Sequence, residues 1–250
     1  MTIRRDRPRW GARKIRAELL RRGCVDPPAI STVHASLRRH GLVGEQPARR
    51  RLAWRRFERP VPNDLWQIDA TCVALTDATK AWVVDVLDDH ARYTIAARAC
   101  RQATTRVAGE TMETAIAEHG APRQVISDNG LAFTGRRRGR EVLFERNVKA
   151  LGVQTLTSKP RHPQTCGKLE RYHQTFKAYY ADHGPAADLD ALQQLCDQFR
   201  WHYNVERPHQ SLSDATPADT YAATEPASPL TGRENDQTVP PRTLRSTRTA

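Results

Sequence analysis

The residues best suited to chemistry sit in the stretch Ser158 to Lys177, SKPRHPQTCGKLERYHQTFK. It opens as a Pro-broken loop and passes through Gly167 into a helical pattern, which places Glu170 in the first turn of a helix behind a basic, His-containing loop. A carboxylate there is poised for metal or phosphate chemistry. Helical spacing puts Glu170, His173 and Lys177 along one face, beside an apolar stripe of Leu169, Tyr172, Phe176 and Tyr180. Taken singly, Glu170 is also what a helix N-terminus favours. Two further acids change the reading. Asp69 is the lone acid in the strand pattern Leu65 to Leu75, where alternation sets Trp66, Ile68, Ala70 and Cys72 on one side and Gln67, Asp69 and Thr71 on the other. Asp128 ends the short strand Gln124 to Ser127, just before the turn pair Asn129-Gly130. Carboxylates from separate sequence positions that converge at a sheet edge can hold two divalent cations about 4 Å apart for an in-line phosphoryl displacement. An all-oxygen set favours Mg²⁺ or Mn²⁺ over zinc. The competing reading makes Asp69 a paired buried acid and Asp128 a turn-former.

Such acids need a scaffold that brings them together. Strands are expected over Leu65–Leu75, Trp82–Leu87 and Tyr93–Ala99, with short connections that suggest an antiparallel meander. A helix from Thr104 to His119 follows, buried through Val107, Met112, Ala115 and Ile116 and stopped at Gly120-Ala121-Pro122. After the strand that ends at Ser127 come a basic loop, Arg136 to Arg140, a helix from about Glu141 to Leu151 and a last strand, Val153 to Thr157. Beyond the Glu170 helix, Asp188 starts another with Leu189, Leu192, Leu195, Cys196 and Phe199 apolar, running to Asn204. The order describes an α/β fold with a mixed sheet flanked by helices.

The net charge of +12 is uneven. Residues 1–60 hold 17 of the 40 Lys/Arg and 5 of the 28 Asp/Glu, so the whole excess lies in the N-terminal quarter. That argues for a polyanion partner, and a nucleic acid before a membrane, because no apolar run approaches the roughly 20 residues that span a bilayer. Within the basic quarter, Ala12, Ile15 and Leu19 share one helical face and Ile30, Val33 and Leu37 another, with Gly23 to Pro28 between them. Two such helices can form a helix-turn-helix, with Ser31 and Thr32 opening the second and His34, Arg38 and Arg39 further along it; any small helical hairpin gives the same periodicity. Arg13 and Lys14 on the first helix are further candidate DNA contacts. Domains are therefore expected at 1–45 (helix-turn-helix), 46–62 (basic linker), 63–222 (core with C-terminal helices) and 223–250 (a Thr-, Pro-, Ser- and Arg-rich disordered tail). Five scattered cysteines without a CxxC pair indicate neither a disulfide framework nor a zinc site. A cytoplasmic, nucleoid-associated protein is expected.

The segments DLWQIDAT, VISDNGLAFTG, HPQTCGKLERYHQTFK and YNVERPHQSL resemble the integrase core of bacterial insertion-sequence transposases, relatives of retroviral integrases with a ribonuclease-H-like fold and an Asp-Asp-Glu triad. The resemblance covers roughly residues 10 to 222, since WGARKIRAELLRRG is similar to that family's second N-terminal helix-turn-helix. It implies Asp69, Asp128 and Glu170 as catalytic, metal-binding residues, with Asp69 bridging two Mg²⁺ or Mn²⁺ ions and the other two acids holding one each. It implies Lys177 as a contact to the element's end and Arg161, His162, Lys168, Arg171 and His173 along the DNA path. The activity implied is DNA end cleavage followed by attack of the freed 3′-hydroxyl on double-stranded target DNA, by a homo-oligomer. Two departures stand out. The interval between Asp128 and Glu170 is long, with 41 intervening residues, and the surplus falls at Arg136 to Arg140. By the same resemblance a further helix-turn-helix, which family members usually carry, is expected before the point where this sequence starts, so the chain is expected to be N-terminally short. A DNA-binding remnant without turnover is the alternative, and a hybrid-cleaving nuclease is disfavoured by the basic N-terminal quarter. Asn204, Arg207, Pro208 and His209 match a C-terminal family signature whose job the sequence does not disclose.

Overall fold

The computed structural model describes residues 2–43, 56–128, 130, 132–135, 139, 141–157, 167–229 and 242–244. Arg161, His162, Cys166, most of Arg136 to Arg140 and linker residues 46–55 lie outside the described residues. Helices α1 (Thr2–Asp6), α2 (Ala12–Arg21) and α3 (Ile30–Arg39) come first, and strand β1 (Arg56–Glu58) leads into the core. There β2 (Leu65–Ala74), β3 (Lys80–Asp88), β4 (Thr94–Cys100), α4 (Thr105–His119), β5 (Gln124–Ser127), α5 (Leu143–Ala150), β6 (Gln154–Thr157), α6 (Gly167–His183) and α7 (Leu189–Trp201) follow in order.

The β-branched runs of β2 and β3 pair antiparallel, β3 pairs antiparallel with β4, and β5 and β6 add in parallel beside β2, giving the order β4-β3-β2-β5-β6. This is the expected meander extended into a mixed sheet. Period-two alternation gives the sheet two apolar faces. Trp66, Ile68, Val84 and Val86 pack with α4 and α5 through Ala108, Met112, Ala115, Phe144 and Val148. Val73, Val83 and Leu87 pack on the other face with Leu169, Tyr172, Phe176 and Tyr180 of α6 and Leu192, Cys196 and Phe199 of α7. The apolar stripe of α6 is therefore wholly buried, as its spacing required.

Local signals fix the helix ends. The Thr104 hydroxyl accepts the Val107 N–H at 3.2 Å, and the Asp188 carboxylate accepts the Ala191 N–H at 2.8 Å. Gly120, at φ +76°, lets α4 turn directly toward β5. The helix expected to run to Asn204 ends at Trp201 and continues as a π-helical turn over His202–Glu206. A 3₁₀ turn (Gln210–Leu212) and α8 (Pro217–Ala222) close the core. The tail expected to lack structure contributes β7 (Arg242–Leu244), antiparallel to β1.

Candidate active site

Parallel pairing sets the first two acids. The register aligns Ile68 of β2 with Ser127 of β5, so Asp69, the next residue within β2, and Asp128, the first residue past β5, come side by side. Asp69 is half-buried, and its Oδ1 accepts the Ala70 N–H at 2.8 Å. Burial raises its pKa; His173 and the Ala70 N–H oppose that, and the charges of Asp128 and Asp85 add to it. Asp128 is held by a tight turn in which Oδ1 accepts the Gly130 N–H at 2.7 Å. A Cβ at Gly130 would meet that oxygen at 2.7 Å, so any larger residue there would push the Asp128 carboxylate aside.

Glu170 sits in the first turn of α6 with its side chain exposed, and the Gln174 amide reaches its Oε1 at 3.4 Å. The three acids do not form one ligand cluster here: among the described residues no three His, Cys, Asp or Glu side chains are placed to hold a metal ion. The helix residue that does meet the acid pair is His173. Its Nδ1 is 3.8 Å from Asp69 and its Nε2 3.0 Å from Asp85, a β3 acid directly opposite Asp69. The Tyr172 hydroxyl donates to the same buried carboxylate at 3.2 Å. Burial lowers the His173 pKa, but the hydrogen bond and charge of Asp85, with the charge of Asp69, outweigh it and raise the pKa overall. Asp85 was missed at the level of sequence. The signal was an acid inside the apolar run AWVVDVL, the same oddity that marked Asp69.

Several predicted DNA contacts are committed elsewhere. Lys168 is not free to meet DNA in this structure: its ammonium pairs with the buried Asp89 carboxylate and donates to the Asp89 carbonyl at 3.0 Å, tying the start of α6 to the β3–β4 turn. Burial lowers its pKa to about 8 although Asp89 favours the charged form. His173 faces the sheet as described, and Arg13 pairs with Asp214 at 2.9 Å. Lys14 is half-buried, whereas Arg171, Lys177, Ser31, Thr32, His34 and Arg38 are exposed. Helices α2 and α3 pack through Trp10, Ala12, Ile15 and Leu37, joined by residues 22–29, a longer connection than the three or four residues of a tight helix-turn-helix. The C-terminal signature also gains a role. The Asn204 side chain accepts the Thr94 N–H at 2.8 Å and donates to its carbonyl at 3.0 Å, holding the start of β4.

An open mixed sheet of this order, with helices on both faces, one acid in the middle of β2 and another just past the end of β5, is a ribonuclease-H-like core. Comparison with known folds agrees: a chain of the simian T-cell lymphotropic virus intasome in complex with PP2A regulatory subunit B56 gamma superposes with a TM-score of 0.56 at 20% identity over 86% of this chain and 75% of that one. The magnesium-bound catalytic core domain of HTLV-2 integrase superposes at 0.53, with 18% identity, 66% of this chain and 99% of that one. Residues 59–163 and 151–217 each match an integrase core domain model, and together these cover well over half of the sequence. The chain belongs to the integrase-core family of insertion elements and retroviruses. A 39.2 kDa protein of insertion element IS476 from Xanthomonas euvesicatoria is 26% identical over 221 residues, 84% of this chain, and the alignment spans 60% of that protein's length.

Proposed function

We propose that the protein is a transposase that cuts the DNA ends of a mobile element and transfers them to target DNA, with Asp69, Asp128 and Glu170 as its catalytic acids. The observation that carries this reading is the side-by-side placement of Asp69 and Asp128 by parallel strands, in a half-buried setting where burial, with the charge of Asp128 adding to it, raises the Asp69 pKa. Hard carboxylate oxygens held that close fit a divalent cation, Mg²⁺ or Mn²⁺, and a two-ion arrangement is completed by Glu170. When bound, such ions supply Lewis-acid activation of the attacking hydroxyl and charge compensation at the phosphate. The chain's own residues do the rest. Gly130 keeps Asp128 in its turn, and His173, backed by Asp85, holds Asp69 in place. Lys168 and the stripe from Leu169 to Tyr180 fix α6, whose first turn would present the exposed Glu170 carboxylate to the pair. Reaction is then positioning and electrostatic stabilisation, with no covalent protein intermediate. The domain reading follows: 1–45 contacts DNA through Ser31, Thr32, His34 and Arg38, 63–222 performs chemistry, Arg161, His162, Arg171 and Lys177 meet the reacting DNA, and a dimer or larger assembly supplies two active sites.

The exposed Glu170 carboxylate favours a second reading, a DNA-binding remnant that does not turn over. One assay separates them. Labelled DNA from the element's flanks, incubated with Mg²⁺ or Mn²⁺, is nicked and joined by the wild-type chain and not by Glu170→Gln. Binding without cleavage, equal in both proteins, would remove the catalytic reading and leave the remnant.

A further inference from the structure

The arginines of the basic quarter fall into two groups. Among the described residues Arg38 and Arg39 of α3 are exposed and make no ion pair. Those that precede and open α2 are each matched to an acid of the core. Arg7 pairs with Glu206 at the end of the π-helical turn. Arg9 grips Asp182, in the last turn of α6, through both Nε and Nη2, the second lying 2.7 Å from Oδ1. Arg13 Nε lies 2.9 Å from both oxygens of Asp214, which stands in a left-handed turn at φ +68°. Three parts of the core, 173 to 201 residues further along the chain, thus supply one carboxylate each.

The Arg9–Asp182 and Arg13–Asp214 pairs stand in water, with side-chain exposures of 55% and 40% and of 45% and 28%, so a solute anion can reach and displace them. A guanidinium that donates to carboxylate oxygens can donate to those of a phosphodiester in the same way, and the same N–H groups cannot serve both at once. The hydrogen bond from Arg9 holds the Asp182 carboxyl below the usual carboxylate range, which keeps it a charged competitor at neutral pH. The ring of Trp10, 6.1 Å from that of His202, seats this part of the chain on the core whichever anion the arginines hold.

We propose that Asp182 and Asp214 form an autoinhibitory contact: they occupy Arg9 and Arg13 in the free chain, and a DNA duplex takes those arginines over with its backbone phosphates. The choice of DNA as the competing anion rests on the function proposed above. The free chain then binds DNA less tightly than its basic quarter alone would dictate, because each arginine must first give up an internal partner.

The test uses the full chain and a fluorescein-labelled duplex in EDTA, where binding is read without cleavage. Glu206 also bonds the His202 ring at 2.7 Å, so the variants are Asp182→Asn and Asp214→Asn, which keep side-chain size and remove the charge. Each should tighten duplex binding about twofold to fivefold at ~0.1 M salt, and the gain should shrink as salt rises, since an exposed internal pair is screened as well. Removing an acid also makes the whole chain more basic, so each variant is repeated without its arginine. Asp182→Asn should leave affinity unchanged in an Arg9→Ala background, and Asp214→Asn likewise in Arg13→Ala. Wild-type affinity in both single acid variants would overturn the contact and leave DNA as a ligand. A gain of equal size with and without the arginine would reduce the effect to bulk charge and overturn it too. No duplex binding by any of these proteins would remove DNA as the ligand, and with it both the contact and the function proposed above.

Discussion

Helix α6 and the N-terminal helices dock on the same core by different forces. α6 buries Leu169, Tyr172, Phe176 and Tyr180, and its polar ties to the sheet, Lys168 to Asp89 and His173 to Asp85, are buried too. The N-terminal helices keep their apolar residues, Ile3, Trp10, Ala12, Ile15 and Leu37, mainly for one another. They reach the core through Arg7 with Glu206, Arg9 with Asp182 and Arg13 with Asp214, all partly exposed. Exposed pairs are each worth about 0–1 kcal/mol and are screened over a Debye length of roughly 10 Å at 0.1 M salt. Buried apolar contacts are not. The helix carrying Glu170 is therefore held firmly against salt, whereas the basic helices are held in good part by ion pairs that salt, or a nucleic acid, can compete away.

The firm side of this contrast breaks most severely at Phe176. Phe176→Ala should cost about 3–5 kcal/mol, read as a lower urea midpoint, because the ring packs against Tyr180 and Phe199 in a closed layer. A loss below 1 kcal/mol would mean that α6 is not seated as described. His173→Gln should cost less, about 1–3 kcal/mol, since it removes one partner of a buried charged hydrogen bond. Its pH dependence has a definite sign. The folded-state pKa of His173 lies above the ordinary 6.5, so the imidazolium binds its proton more tightly in the folded chain. That contribution is complete below the ordinary value and is lost as pH rises through the raised one. The stability gap between wild type and His173→Gln should therefore narrow on the alkaline side. A gap that stays constant from about pH 5.5 to 9 would show His173 acting only as a neutral hydrogen-bonding group.

The acid turn is the next point of strain. Gly130→Ala places a methyl 2.7 Å from the Asp128 oxygen and should displace that carboxylate. Loss of the Gly130 N–H bond to Asp128 makes the cost to stability about 0.5–1.5 kcal/mol. The sharper readout is Mn²⁺ affinity by calorimetry, which should fall although the altered residue is no ligand. Unchanged affinity would separate the turn from the acid pair.

What the sequence disclosed followed from spacing. The α6 stripe, the acid in β2, the caps at Thr104 and Asp188 and the meander are all periodic or local patterns, and each stands in the structure. What it withheld depended on partners far along the chain. Lys168 reads as one more basic residue near Glu170 until Asp89, 79 residues earlier, is placed beside it. Asp85 is hidden because an acid in a valine-rich strand announces burial without saying what neutralises it. Asn204 reads as a helix terminator, and its real partner is the backbone of Thr94 across 110 residues. The direction of Glu170 was beyond reach for another reason: helical spacing sets the face of a residue, not the rotamer of an exposed side chain on the first turn.

The weak side of the contrast gives the smallest effects and a sharp separation of regions. Arg9→Ala and Arg13→Ala should each change global stability by about 0–1 kcal/mol, and less at high salt. Local opening is the better measure, because hydrogen exchange reports each segment by itself. In the double variant, amides of α2 should exchange faster than in the wild type at low ionic strength, and the two proteins should converge at about 1 M salt, where screening acts within a few ångströms. Amides of α6 should exchange alike in both proteins at either salt. If α2 and α6 instead speed up together, the N-terminal helices are part of the same cooperative unit as α6, and the arginine pairs are not what holds them on.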